Sequence, residues 1–110
     1  MAQIAVSALE NTKGEDIEIL DISEVSTLGD YFVIASGTNR SQVQAMADKV
    51  EEALYKEGFE KKDVEGYDNA FWILQDYGDI IVHIFDKENR VFYNLERIWR
   101  DGKEISKDEL

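Results

Sequence analysis

Trp72-Ile73-Leu74-Gln75-Asp76-Tyr77-Gly78-Asp79-Ile80-Ile81-Val82-His83-Ile84-Phe85 reads as two strands folded back on each other. Ala70 to Asp76 and Asp79 to Phe85 are apolar runs separated by Tyr77-Gly78. Two residues including a glycine between such runs are the signature of a hairpin. In the second run Ile80, Val82 and Ile84 share one face, with Ile81, His83 and Phe85 on the other. Neither face is polar, so this strand is expected in the sheet interior, covered on both sides. In the first run Trp72 is in phase with Leu74 and Asp76, and Phe71 with Ile73.

Working outward, Asp30 to Ser36 repeats the pattern, Tyr31, Val33 and Ala35 alternating with Phe32 and Ile34. Ile17 to Ile22 and residues 63–67 supply two further strands. Residues 2–12 read as a short amphipathic helix with Ala5, Ala8, Leu9 and Thr12 on one face, ending near Gly14. A second helix follows the Gly37-Thr38-Asn39-Arg40 turn. Ser41 with Gln44 fits a capping box, and Val43, Met46, Ala47, Val50, Ala53 and Leu54 form its stripe up to a stop at Gly58. Asp86 or Asn89 is placed to cap a final helix with the stripe Val91, Phe92, Leu95, Ile98 and Trp99, ending at Gly102. The order α-β-β-α-β-β-β-α implies an α/β (α+β) fold, a mixed sheet of about five strands flanked by helices. Residues 1–100 are expected to form one domain and 101–110 a flexible acidic tail.

The chain has 110 residues with 24 acidic and 12 basic side chains, a formal charge of −12. Such a surface repels nucleic-acid phosphates and attracts basic proteins, more strongly at low salt. With no cysteine, disulfides, iron–sulfur clusters and Cys-based zinc sites are excluded. With His83 as the sole histidine, so is a multi-His metal site. No signal peptide or membrane span is legible, and a cytosolic location is expected. The ending Lys107-Asp108-Glu109-Leu110 spells an ER-retention address. It reads as the chance ending of an acidic tail in a chain that nothing delivers to that compartment.

Two kinds of chemistry compete. Asp21, Asp30, Asp76 and Asp79 lie at strand ends, where converging carboxylates hold Mg²⁺ for nucleotidyl or phosphoryl transfer. Against this, metal pairs usually stand one residue apart on a strand, so that both face the same way. Asp79 is instead followed by Ile80 and Ile81, and the loop 36–41 has one glycine and no lysine, unlike a phosphate cradle. His83 reads as a hydrogen-bonded core histidine without a nucleophile beside it. The other candidates are Trp72 and Tyr77 beside Asp76 and Asp79. Aromatics next to carboxylates anchor basic protein partners, although a core Trp and an ordinary turn Tyr account for the same residues.

Three segments together resemble the Iojap or ribosomal silencing factor family. They are Asp30-Tyr31-Phe32-Val33-Ile34-Ala35-Ser36-Gly37-Thr38 with Arg40 and Val43; Glu65-Gly66 followed by residues 72–85; and Arg90-Val91-Phe92-Tyr93-Asn94-Leu95-Glu96-Arg97-Ile98-Trp99. The resemblance implies a nucleotidyltransferase-like topology without that enzyme's active site, no metal and no cofactor. It implies binding to the large-subunit protein uL14 and steric obstruction of subunit joining under nutrient limitation, with members often dimeric when free. Carried over by position, the uL14-facing residues are Trp72, Asp76, Tyr77 and Asp79, joined by Asp30 and Tyr31. Gln75 stands where a basic or apolar residue is expected.

Overall fold

Interior strands set the architecture, because residues apolar on both faces must be covered twice. The computed structural model describes residues 1–24, 29–90 and 103–110. In chain order the elements are α1 (Ala2–Asn11), β1 (Glu15–Asp21), β2 (Tyr31–Gly37), α2 (Arg40–Lys56), β3 (Asp63–Glu65), β4 (Trp72–Asp76), β5 (Ile80–Asp86), the helical turn α3 (Lys87–Arg90) and β6 (Lys103–Ile105). A short 3-10 turn, Lys107–Glu109, follows. The helix expected on Val91 to Trp99 lies outside the described residues.

The six strands form one mixed sheet in the order β3-β4-β5-β2-β1-β6. Its centre is the parallel pair β2–β5, Tyr31 opposite Ile80 and Gly37 opposite Asp86, and the remaining pairings are antiparallel. These are the two runs read as interior, and the mixed sheet flanked by helices is as expected. The sheet has one strand more than expected. The segment read as a flexible tail contributes β6, which pairs with β1 through Ile19–Ile105, Leu20–Glu104 and Asp21–Lys103. That correction has a plain cause: a three-residue edge strand is too short to leave an alternation in the sequence.

One face of the sheet packs on α1 and α2. Val33, Ala35, Ile73, Ile80, Val82 and Ile84 meet Ala5, Leu9, Val43, Met46, Ala47, Val50 and Leu54. The opposite face buries Leu20, Ile22, Phe32, Ile34, Ile81 and Phe85, with Trp72 and Leu74 packed against them. Each fully buried side chain of this size contributes about 1.5–3 kcal/mol. Phe32 meets the His83 ring edge-on at 4.6 Å, and Trp72 stacks on Phe85 at 5.2 Å. Trp72 Nε1 donates to His83 Nδ1 at 3.0 Å. Indole nitrogen only donates, so Nδ1 carries no proton and the neutral ring holds its proton on Nε2. His83 is the core histidine that its setting suggested, only 3% exposed.

The cap of α2 differs from the expected Ser41–Gln44 box. Asn39 is the N-cap, its side-chain oxygen accepting from the Gln42 N–H at 2.9 Å. Gln42 Oε1 accepts from the Thr38 N–H, and Gln42 Nε2 donates to the carbonyls of Thr12 and Lys13. Both cap types satisfy the free N–H groups of the first turn, and Asn competes with Ser for that role. Gln42 thereby also fastens the end of α1 to the start of α2. Gln44 donates to the Tyr67 carbonyl instead.

The hairpin is offset by one residue from the sequence reading. The Tyr77 N–H donates to the Ile80 carbonyl at 3.0 Å, so these two close the hairpin and Gly78-Asp79 form its loop. Gly78 has φ +86°, a conformation that costs glycine little. The offset puts Tyr77 in strand phase with Ile73 and Gln75, which face the helices. Tyr77 is therefore not an exposed turn residue: it is 5% exposed and belongs to the helix-side core. Its hydroxyl has no hydrogen-bond partner among the described residues. Burial, reinforced by the Glu51 carboxylate, pushes its pKa up to about 12.

Two outcomes follow for Tyr77. Tyr77→Phe removes a buried hydroxyl without breaking a bond, so thermal unfolding should show stability unchanged or raised by up to about 1 kcal/mol; a loss of that size would contradict the orphaned hydroxyl. The folded chain keeps this proton above the ordinary tyrosine value of 10.0, whereas the unfolded chain releases it near that value. Stability should therefore fall as pH rises from 10 to about 12. Tyr77→Phe should flatten that part of the alkaline denaturation profile.

Candidate functional site

The parallel pairing of β2 and β5 brings the starts of both strands to one end of the sheet. There the Asp79 carbonyl accepts from the N–H groups of Asp30 at 2.8 Å and Tyr31 at 3.3 Å. The Asp30 carbonyl in turn accepts from the Ile22 N–H at 2.9 Å, joining β1 to the same knot. Gly29 packs against the hairpin loop. A Cβ there would lie 2.8 Å from the Gly78 oxygen and 3.2 Å from that of Asp79, both backbone atoms. The bare glycine is what lets the two segments close.

Around this knot Asp30 and Asp79 are exposed and Asp76 half-buried. Asp76 Oδ1 accepts from the Gly78 N–H at 2.8 Å and stiffens the turn. None of the three has an ion-pair partner among the described residues. Tyr31 is half-buried and packs its ring on the helix-side core.

Of the six residues read as partner-facing, Asp30, Tyr31, Asp76 and Asp79 therefore meet at one sheet end. Trp72 does not join them. It stands opposite Phe85 at the other end of β4, four residues or roughly 13 Å from Asp76. Tyr77 is withdrawn into the core. Lys62, whose side chain runs beside Gly78, has no counterpart in the sequence reading, and Phe71, read there in phase with the buried Ile73, is 55% exposed. No signal in the sequence ties Lys62 to the turn, because the contact depends on how β3 pairs with β4.

Two of the carboxylates named for the transferase alternative are engaged within the chain. Asp21 Oδ1 accepts from the Ser23 N–H and hydroxyl, at 3.0 and 2.6 Å, and one Asp76 oxygen is committed to Gly78. Among the described residues no group of three or more His, Asp or Glu is placed to hold a metal ion. None of the described helices is long and apolar enough to cross a membrane.

Fold and site define a small α/β domain whose mixed sheet ends in a carboxylate-rich loop cluster. Comparison with known proteins places that class. The family model described as "Ribosomal silencing factor during starvation" matches residues 1–110. The ribosomal silencing factor of Bacillus subtilis is 41% identical over 100 residues, 91% of this chain and 85% of that protein. The one from Halalkalibacterium halodurans is 38% identical over 105 residues, covering 96% and 90%. A crystal structure of a Chromobacterium violaceum protein superposes with a TM-score of 0.87 at 35% identity, covering 94% of this chain and 86% of that one. The chain belongs to the family of ribosomal silencing factors, and membership carries a role in ribosome silencing.

The knot itself is open to test. Gly29→Ala should destabilise the protein by ~1–3 kcal/mol through the clash with the hairpin backbone. It should also shift the amide resonances of residues 78–80. An unchanged melting temperature with unmoved resonances would show that the two segments do not pack as described.

Proposed function

We propose that this chain docks through the Asp30–Asp79 end of the sheet on the large-subunit protein uL14 and sterically prevents the ribosomal subunits from joining. The observation that carries the reading is that Asp30, Asp76 and Asp79 meet at one sheet end, their carboxylates without ion-pair partners among the described residues. Ribosomal proteins are basic as a class, and an acidic patch on a rigid backbone knot complements them. Backbone hydrogen bonds hold the patch before docking, so little ordering entropy is lost on association. The formal charge of −12 favours a protein surface over rRNA as the contact.

In this reading the action is occlusion. The chain occupies the surface of uL14 that meets the small subunit, and no bond is made or broken. Family membership supplies the setting, nutrient limitation, and the free protein is read as a cytoplasmic homodimer. The residues proposed to face uL14 are Asp30, Tyr31, Asp76 and Asp79. Trp72, bonded to His83 and stacked on Phe85, supports the sheet.

Co-sedimentation with purified large subunits, and binding to isolated uL14, test the proposal. Wild-type protein should pellet with large subunits at low salt. Asp79→Lys should weaken binding by about 2 kcal/mol, roughly 30-fold, with the fold intact. Absence of binding by the wild type would end the proposal. Undiminished binding by a folded Asp79→Lys protein would place the contact elsewhere.

A further inference from the structure

Resting on that reading, we propose that Lys62 is a built-in competitor at the docking site. In the free protein its side chain covers the Gly78 turn, where a basic side chain of the partner settles on docking. A Cβ at Gly78 would lie 2.7 Å from Lys62 Nζ, 3.0 Å from Cε and 3.6 Å from Cδ. Three consecutive side-chain atoms of the lysine thus run across the space above the glycine.

The backbone dictates this course. The Lys62 N–H donates to the Asp76 carbonyl at 2.7 Å, immediately before β3 pairs with β4. The lysine therefore departs from beside the last residue of β4 and reaches along the loop that follows. Its neighbour Lys61 is drawn the other way, to Glu51 on α2 at 2.7 Å. Gly78 provides the room, since any side chain there would displace the lysine.

Lys62 is positioned without being neutralised. Lys56, Lys61, Lys87 and Lys107 each pair with a glutamate, whereas no ion pair holds Lys62 among the described residues. The lysine is exposed, and its ammonium lies over Gly78, in the turn that Asp76 and Asp79 flank. Three carboxylates and one ammonium leave the patch at −2, and an incoming cation must displace or share that ammonium. The arrangement discriminates between partners: Lys62 weakens the hold of the patch on an isolated lysine, while a dense basic surface drives Lys62 aside.

Equilibrium binding of the full chain to purified large subunits and to isolated uL14 provides the test, comparing wild type, Lys62→Ala, Lys62→Glu and Asp79→Lys. Lys62→Ala should bind roughly two- to fivefold tighter, as expected for one exposed like charge removed. Lys62→Glu should bind tighter still, with the gain mainly in association rate and larger at low salt. Unchanged melting temperatures would confirm that neither substitution acts through the fold. Equal or weaker binding by Lys62→Ala, where the wild type binds and Asp79→Lys does not, overturns the competitor role and leaves the docking reading standing. Failure of the wild type to bind at all removes both.

Discussion

The parallel contact between β2 and β5 is the constraint on which the other elements depend. Parallel neighbours cannot be joined by a tight turn, so the chain must leave the sheet and return. Here the connection carries α2, β3 and β4. The excursion lays α2 over the sheet and delivers β4 as the antiparallel partner on the far side of β5. It also makes β2 and β5 interior, which explains why both are apolar on both faces. The acidic site is a by-product of the same contact. Asp30 and Asp79 are far apart in sequence and meet because parallel strands begin at the same end.

Buried polar groups refine this frame. Gln75, 1% exposed, donates from Nε2 to the Ala47 carbonyl at 3.0 Å, fastening β4 to the middle of α2. It stands where an apolar or basic residue is expected, and its side chain points into the helix interface, where the Ala47 carbonyl takes up its amide N–H. The Trp72–His83 bond does the same on the opposite face. Both fix one arrangement among several that an all-apolar core would accept. The carboxylates at the sheet end are left to the surface on a backbone held from both sides.

Much of this is legible in the sequence. The interior strands declare themselves because a short run apolar on both faces, bounded by turn residues, fits a covered strand far better than an edge strand or a loop. The stripe of α2 from Val43 to Leu54 is long enough to be unambiguous. The failures share one cause: a feature settled by a single residue or by pairing at a distance. Whether the hairpin loop is Tyr77-Gly78 or Gly78-Asp79 depends on one backbone bond, yet a shift by one reverses which face a side chain takes. Pattern alone therefore sets Tyr77 at the surface, and the bond puts it in the core. Proximity in sequence joins Trp72 to the acidic turn, although extended chain carries it to the opposite end of the strand. Ser41 offers as good a capping pattern as Asn39, and only the fold chooses between them. Lys62 and β6 depend on strand pairings that short edge segments do not announce.

The decisive question is whether the sheet end around Asp79, and not the helical face, is the surface covered on the ribosome. Amide hydrogen exchange on the full chain, free and bound to large subunits, reads this directly. Binding should slow exchange at residues 29–31 and 78–80 and leave the outer face of α2 around the exposed Tyr55 unchanged. Protection centred on α2, with residues 29–31 and 78–80 exchanging as in the free protein, would contradict it.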